Sequence, residues 1–154
     1  MEEIVQLDAL DKKILSLIKS DARTPFLEVA RKCGISGAAV HQRVQRLTKT
    51  GIIKGSELIL DPEKMGYSTC TYIGIFLEKA SFYKDVVEEL KNIPEITQCH
   101  YTTGNWSIFI KLYTKNNKSL KDILVNKLQS IKGIIRTETF ISLEEGFSRQ
   151  LPVE

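Results

Sequence analysis

The most informative stretch of this sequence is residues 31–56, RKCGISGAAVHQRVQRLTKTGIIKGS. It contains six lysines and arginines and one histidine, but no aspartate or glutamate. The pattern predicts a short helix, a turn over residues 33–36, and a second helix from Gly37 to about Thr50. A basic helix-turn-helix without acidic residues suits a polyanion whose grooves admit a helix, and DNA is the first candidate.

The second helix has one apolar side and one polar side. Val40, Val44 and Leu47 recur at spacings of four and three residues, which predicts a single buried stripe. The opposite side carries amide, imidazole and guanidinium groups that can reach base edges or phosphates. Ser36 is a suitable N-cap, and Gly51 stands where a glycine commonly ends a helix.

We predict that DNA contacts come from the start of this helix and from its polar side. The small residues after Ser36 let the helix N-terminus approach a phosphate, where its unpaired N–H groups favour an anion. Glutamine suits adenine, and arginine suits phosphates. The alternative is an ordinary solvated helix face, which would carry both signs of charge. The predicted DNA-binding residues are Ser36, Gly37, Ala38, Ala39, His41, Gln42, Arg43, Gln45, Arg46 and Lys49.

The composition of the whole chain is that of a globular protein with an uneven charge. Its 154 residues are 42% hydrophobic and 27% charged, which fits one typical domain or two small ones. Residues 1–60 hold ten lysines and arginines against seven acidic residues, whereas residues 61–154 hold twelve of each. We therefore expect the N-terminal part to bind nucleic acid.

The sequence gives little reason to expect a metal, a membrane segment or an active site. Cys33, Cys70 and Cys99 are far apart and form no CxxC pair, so free thiols in a reducing compartment are expected. No apolar run approaches the roughly 18 residues that span a membrane, and no signal-peptide pattern is present. Nucleotide-binding and hydrolase motifs are missing, so we expect no cofactor, no catalysis and a structural His100. A cytoplasmic, nucleoid-associated protein is expected.

Two helices are predicted before the basic stretch and two short strands after it. The first helix runs from about Ala9 to Ser20 with Asp8 as its cap, and the next has Thr24 as N-cap and Pro25 as its first residue. Residues 52–55 and 57–60 are predicted strands of a wing. The predicted domains are a winged helix-turn-helix at residues 1–54, a wing and connector at 55–66, and a second domain at 67–154.

The second domain is predicted to be ferredoxin-like. Strands and helices alternate as β-α-β-β-α-β, an order that puts both helices on one face of an antiparallel sheet. The fold class is therefore α+β, with an N-terminal winged helix-turn-helix domain and a C-terminal ferredoxin-like βαββαβ domain. The predicted strands are residues 69–78, 96–102, 106–114 and 134–143, and the predicted helices are 82–93 and 119–131.

Both faces of the predicted sheet are partly apolar. Alternation puts Trp106 on the side of Ile108 and Phe109 on the other side, and it puts Ile134 and Phe140 together. A small domain with a second apolar face tends to associate through it. The alternative is that the N-terminal domain covers this face.

Motifs along nearly the whole chain occur in an order and spacing that are specific as a set. They are Leu7-Asp8…Asp11…Ile14-Leu15, Asp21-Ala22-Arg23, Ser36…Val40…Arg43-Val44…Arg46-Leu47, Gly51-Ile52-Ile53…Gly55, Pro94-Glu95-Ile96…Cys99-His100, Thr103-Gly104 and Ile141…Glu144-Glu145. Together they resemble the feast/famine regulators of the Lrp/AsnC family.

The resemblance implies a DNA-binding transcription regulator that is not an enzyme. It implies a dimer joined through the C-terminal sheets, in some members assembled into tetramers or octamers. It also implies an amino-acid-like effector bound at loops between neighbouring subunits. Ser36, Arg43 and Arg46 match the family's recognition helix, and Gly104 matches the glycine of its effector loop. The implied effector-binding residues are Thr102, Thr103, Gly104, Asn105, Trp106 and Ser107.

The effector loop departs from many family members at two positions. Those members have Gly-Asp-aromatic-Asp, whereas this chain has Gly104-Asn105-Trp106-Ser107. A carboxylate would pair with the ammonium group of an amino acid, and Asn105 and Ser107 offer only neutral groups. We expect a different effector, weaker binding, or binding through backbone groups; a plain hairpin turn without a ligand is the alternative. For the whole protein, the alternative is a non-specific nucleoid-coating protein on the same fold.

Overall fold

The computed structural model of the chain describes residues 4–154, which form two compact units. The first unit contains residues up to Ile59 together with Arg149–Glu154, and the second contains Leu60–Ser148. The last six residues therefore group with the helix-turn-helix, where Lys19 Nζ donates a hydrogen bond to the Leu151 carbonyl (2.8 Å). Within residues 4–154, none of the helices combines the length and apolar character that crossing a bilayer requires.

Three helices build the first unit: α1 (Ala9–Ser20), α2 (Phe26–Cys33) and α3 (Gly37–Lys49). α1 begins as predicted, because Asp8 and Asp11 each accept a hydrogen bond from the other's backbone N–H. The prediction for α2 was wrong by one residue. Pro25 rather than Thr24 is its N-cap, since Pro25 has an extended backbone with ψ 139° and no side chain caps the helix.

The turn before α3 and the end of α3 are confirmed. Gly34 adopts the left-handed conformation with φ 68°, and Ser36 Oγ accepts a hydrogen bond from the Ala39 N–H (3.1 Å). The predicted wing strands at residues 52–55 and 57–60 were wrong, because the described chain forms no strand before Thr69. Short apolar runs such as these are insufficient for a strand when the chain offers no hydrogen-bonded partner.

The core of the first unit lies between its three helices. Ile14, Val29, Ala30 and Val40 are buried together, and Val44 packs against them from α3. Leu47 is also fully buried, which confirms the predicted apolar stripe of α3. The stripe fixes the rotation of α3 about its axis, and hence which side chains face outward.

The second unit is a four-stranded antiparallel sheet of order β2-β3-β1-β4. Its elements are β1 (Thr69–Leu77), α4 (Tyr83–Lys91), β2 (Ile96–Tyr101), β3 (Ile108–Thr114), α5 (Asn117–Asp122) and β4 (Ile134–Ile141). A 3₁₀ turn precedes α4, and α5 continues as a π-helical turn over Ile123–Lys127 and a 3₁₀ turn over Leu128–Ser130. The β-α-β-β-α-β order confirms the predicted ferredoxin-like fold.

Both helices of this unit pack on the same side of the sheet. Their buried residues, which include Val86, Leu90 and Ile123, join Ile73 and Ile110 of the central strands in one core. The predicted second helix started too late. Asn116 caps α5 by accepting a hydrogen bond from the Ser119 N–H (2.9 Å), so the helix begins at Asn117.

Two predictions about the faces of the sheet were wrong. Trp106 lies with Phe109 rather than with Ile108, because β3 begins only at Ile108 and the strand alternation does not extend back to the loop. Ile134 packs in the core beneath the helices, whereas Phe140 contacts Trp106 on the opposite face. A register irregularity between β1 and β4 shifts the alternation between these two residues.

Candidate DNA interface and effector loop

The polar side of α3 is exposed, as the sequence predicts. Ala38, His41, Gln42, Gln45 and Lys49 all present solvent-exposed side chains. The His41 imidazole lies beside the Phe26 ring, with 5.9 Å between the ring centroids. The exposed amides therefore lie on a helix whose rotation is fixed by burial of the other side.

Two acidic residues of α1 meet the two arginines of α3. Arg43 Nη1 donates hydrogen bonds to Asp8 Oδ2 (2.7 Å) and Asp11 Oδ1 (2.8 Å), and Arg46 Nη2 donates to Asp11 Oδ2. We call these four residues the Asp11 cluster: Asp8, Asp11, Arg43 and Arg46. The hydrogen bond from Arg43 lowers the pKa of Asp8 to about 2, and the bond to Asp8 raises the pKa of Arg43.

Counting charges along residues 31–56 did not anticipate these ion pairs, because α1 supplies the acids from outside that stretch. A signal was nevertheless present in the sequence. Asp11, Ile14 and Ile18 are spaced by three and four residues, so Asp11 belongs to the apolar stripe of α1. A carboxylate on a buried stripe needs a cationic partner. Beside the cluster lies an open cleft of about 700 Å³, whose walls include Ala39 and Gln42.

The predicted effector residues form a hairpin loop between β2 and β3. The Thr102 N–H donates to the Ser107 carbonyl (3.0 Å), and Thr102 Oγ1 donates to the Trp106 carbonyl (2.8 Å). The Ser107 N–H donates to the Ile75 carbonyl (3.0 Å), which ties the loop to β1. Gly104 has φ 100°, a conformation that favours glycine. The structure thus brings Thr102–Ser107 together in one short, well-anchored turn.

Trp106 folds back from this loop over the sheet. Its ring lies 5.2 Å from that of Phe109 and 5.5 Å from that of Phe140, measured between centroids. It covers Gly74 of β1, where a Cβ would lie only 2.5 Å from the indole. The indole N–H donates to Glu138 Oε2 (2.8 Å).

Glu138 is a candidate site residue that the sequence analysis missed. It belongs to β4, far along the chain from the loop, and its side chain is 43% exposed. Arg136 Nη2 lies 3.5 Å from its other carboxylate oxygen. In the strand alternation Glu138 shares a face with Phe140, and the register sets it opposite Gly74. The loop therefore has a carboxylate beside it. Asn105 and Ser107 of the loop itself are neutral, at the two positions where many family members have aspartate.

The face of the sheet opposite the helices is rich in aromatic residues. Tyr72 and Phe109 stack with 5.8 Å between centroids. The Lys111 ammonium lies 5.3 Å from the centre of the Tyr113 ring and 3.4 Å from a Glu145 carboxylate oxygen, and its side chain is 12% exposed. We call this the aromatic face; it consists of Tyr72, Trp106, Phe109, Lys111, Tyr113 and Phe140.

The described part of the chain offers no cluster suited to a metal. Among residues 4–154, no three histidine, cysteine, aspartate or glutamate side chains lie where they could share an ion. Cys33, Cys70 and Cys99 are free thiols. His100 lies opposite Phe109 in the register of β2 and β3.

A helix-turn-helix with an outward polar recognition helix, followed by a ferredoxin-like domain with a tied loop, defines a class of two-domain transcription regulators. Comparison with known proteins agrees with this architecture. The family model for the Lrp/AsnC ligand binding domain matches residues 70–151, and that for a winged helix-turn-helix DNA-binding domain matches residues 7–54. The chain belongs to the Lrp/AsnC family of transcriptional regulators.

Relatives align over nearly their full length. Regulatory protein AsnC of Haemophilus influenzae is 41% identical over 145 residues, which cover 94% of this chain and 97% of that protein. The solved structure of E. coli AsnC is 36% identical, has a TM-score of 0.91, and covers 96% of this chain and 99% of that one. A transcriptional regulator from Neisseria meningitidis in complex with L-Met shares the fold at 21% identity and a TM-score of 0.88, covering 94% of each chain.

Proposed function

We propose that this regulator reads a specific operator through Gln42 and Gln45 of α3, and that an amino-acid-like effector bound at the Thr102–Ser107 loop modulates it. The observation that carries the proposal is the exposed amide side of α3, held outward by burial of Val40 and Leu47. Glutamine side chains on a helix of this kind can pair with adenine in the major groove.

The remaining DNA contacts are proposed to position α3 on the duplex. Gly37, Ala38 and Ala39 leave room for a phosphate at the helix N-terminus, where Ser36 caps one N–H and others remain available. His41 and Lys49 lie on the exposed side and can reach the backbone or base edges. Arg43 and Arg46 flank the same surface, but they are not proposed as phosphate contacts, because their guanidinium groups are engaged by the carboxylates of the Asp11 cluster.

The regulator is proposed to act as a dimer joined through the aromatic face, with further assembly into tetramers or octamers. A single recognition helix contacts too few base pairs to select one genomic site, so two must act together. Two-fold symmetry then requires a pseudo-palindromic operator with half-sites roughly 34–36 Å apart. Tyr72, Phe109 and Phe140 supply the apolar area that such an interface needs.

The effector is proposed to be an amino acid or a related small metabolite. The family match covers a ligand-binding domain, and a structural relative was solved with L-Met. Asn105, Ser107 and the backbone of the loop offer neutral polar groups. Glu138 adds a carboxylate, but Trp106 and Arg136 already engage its oxygens. We therefore expect ammonium-bearing ligands to bind weakly.

Calorimetric titration of the full chain with the twenty amino acids tests the effector proposal. We expect weak binding, tightened by about tenfold or more in Ser107→Asp, because a carboxylate would then face the ammonium group. Ser130→Asp, on the exposed end of the last helical segment, is the matched control and should bind as the parent does. Tight binding by the parent that Ser107→Asp leaves unchanged would show that the missing carboxylates do not matter.

The regulator is proposed to work on chromosomal DNA in the cytoplasm, as part of the nucleoid, and to carry out no catalysis itself. The family is one of regulators, and its two matched domains bind DNA and a ligand. The effector would then act by changing DNA affinity or assembly, because binding at two coupled sites is thermodynamically linked.

A further inference from the structure

We propose that Asp11 is a specificity-determining residue, whose buried carboxylate holds Arg43 and Arg46 of α3 back from DNA phosphates so that base reading dominates binding. The inference rests on the proposed role of α3 as the DNA-contacting helix. It concerns a residue of α1, which is not itself on the exposed side of α3.

The hydrogen bonds of the Asp11 carboxylate restrain the side chains of Arg43 and Arg46. Its side chain is 1% exposed, and both of its oxygens accept hydrogen bonds from α3, Oδ1 from Arg43 (2.8 Å) and Oδ2 from Arg46. Oδ2 also accepts from the Asp8 N–H (3.2 Å), which ties the carboxylate to the start of α1. The arginine side chains are 31% and 45% exposed, so both lie at the surface while their ends point inward.

The ion pairs with Asp8 and Asp11 reduce the positive charge that α3 presents to DNA of any sequence. Asp8 and Asp11 balance the charges of Arg43 and Arg46 within the cluster. Lys49 and the helix N-terminus are then the main electropositive features of the predicted reading surface. Non-specific binding depends on such charges, because each phosphate that a cation neutralises releases condensed counterions.

Neutralising Asp11 should therefore favour random DNA over the operator. An Asp11→Asn substitution keeps the size of the side chain and an oxygen that can still accept the Asp8 N–H, but it removes the carboxylate that pairs with Arg46. Arg43 keeps its ion pair with Asp8 (2.7 Å), so Arg46 is the guanidinium that the substitution frees. Each guanidinium that then reaches a phosphate steepens the plot of log K against log salt by about 0.9. The added phosphate contacts strengthen binding to every sequence, but they also pull α3 towards the DNA backbone. The base contacts of Gln42 and Gln45 are then lost from the operator complex alone, and the specificity ratio falls.

Binding of an operator duplex and a scrambled duplex, measured by fluorescence anisotropy between about 50 and about 200 mM salt, tests the inference. The operator duplex is obtained beforehand by selection from a random pool. For Asp11→Asn we expect tighter binding of scrambled DNA, a slope steeper by about one per α3 helix, and a specificity ratio at least roughly tenfold lower. Asp11→Glu should recover most of the parent's ratio, because it restores the charge.

Two further variants separate this role from a merely structural one. Asp21→Asn makes the same charge change at the end of α1, where the side chain caps the Arg23 N–H, and should alter neither slope nor ratio. Arg46→Gln should leave the slope of log K against log salt unchanged, because Arg46 is proposed not to contact a phosphate in the complex of the parent protein. This measurement tests the inference even if Asp11→Asn folds poorly.

Several outcomes would overturn the inference. If Asp11→Asn weakened binding of both duplexes by the same factor and left the slope of log K against log salt unchanged, Asp11 would be only a packing residue. A shallower slope for Arg46→Gln would show that Arg46 already grips a phosphate. A parent protein that binds neither duplex would remove the proposed function itself, which is a distinct result from either variant failing.

Discussion

Replacing Gly74 with alanine should dislodge the indole of Trp106 and loosen the Thr102–Ser107 loop. A Cβ at this position would lie 2.5 Å from two ring atoms of Trp106, closer than real side chains allow. Gly74 lies within β1 and outside the left-handed region that favours glycine, so the backbone itself accepts alanine. The steric conflict is therefore confined to the tryptophan, which must rotate away from the sheet.

The expected cost is a loss of about 2 kcal/mol in the free energy of unfolding. Each ring contact of Trp106, with Phe109 and with Phe140, contributes about 0.5–1.5 kcal/mol. The hydrogen bond to Glu138 is partly exposed and contributes about 1 kcal/mol. Alanine offsets about 0.4–1 kcal/mol of this loss, because it restricts the unfolded chain.

Urea denaturation of the full chain, followed by circular dichroism at one fixed protein concentration, measures this cost. Trp106 is the single tryptophan, so its fluorescence reports the displacement separately. Gly146→Ala is the matched control, because a Cβ there meets nothing within 4 Å. The same Gly74→Ala change should be nearly neutral in a Trp106→Ala background. An equal cost in both backgrounds would refute the reasoning.

Three further predictions concern the DNA surface, the Asp11 cluster and the aromatic face. Gln42→Ala should cost roughly 1–3 kcal/mol at about one base position per half-site, and equal loss on operator and random DNA would exclude base reading. Hydrogen bonding from Arg43 lowers the pKa of Asp8 from 3.8 to about 2, so the pair stabilises the fold above pH 3.8 and is lost as the pH falls towards 2. Asp8→Asn should therefore be less stable than the parent at pH 7, with the difference shrinking over that acid range in thermal melts; a constant difference would contradict this. Phe109→Glu should shift the sedimentation coefficient towards that of the monomer. Val125→Glu, which changes an exposed residue on the helix side of the sheet, is the control and should not. Unchanged sedimentation of Phe109→Glu would exclude the aromatic face as the dimer interface.

The sequence predicted most of the fold because most of it follows from local patterns. The stripe of Val40, Val44 and Leu47 identified α3, and the residues flanking α3 marked its two ends. Ser36 and Gly51 are located where the helix starts and stops. In the second unit, the alternation of Ile108, Ile110 and Leu112 identified β3 with its buried side. Each of these signals lies within one element of the chain.

The features that the sequence did not predict depend on distant partners. Asp11 meets Arg43 and Arg46 across two helices, and no count along residues 31–56 could include an acid from α1. Glu138 reaches Trp106 of the Thr102–Ser107 loop only because the β1–β4 register sets it opposite Gly74. A strand likewise requires a partner, which is why residues 52–60, although they contain two short apolar runs, form no strand.

We propose above all that α3 recognises a particular base sequence. Selection of duplexes from a random pool, followed by binding of the selected and the scrambled duplex at several salt concentrations, tests it most directly. We predict a pseudo-palindromic motif with half-sites about one helical turn apart, bound at least roughly 10³-fold more tightly than scrambled DNA at the same salt. A pool that yields no motif, with selected and scrambled duplexes bound alike at every salt concentration, would contradict the claim and indicate a protein that coats DNA without reading it.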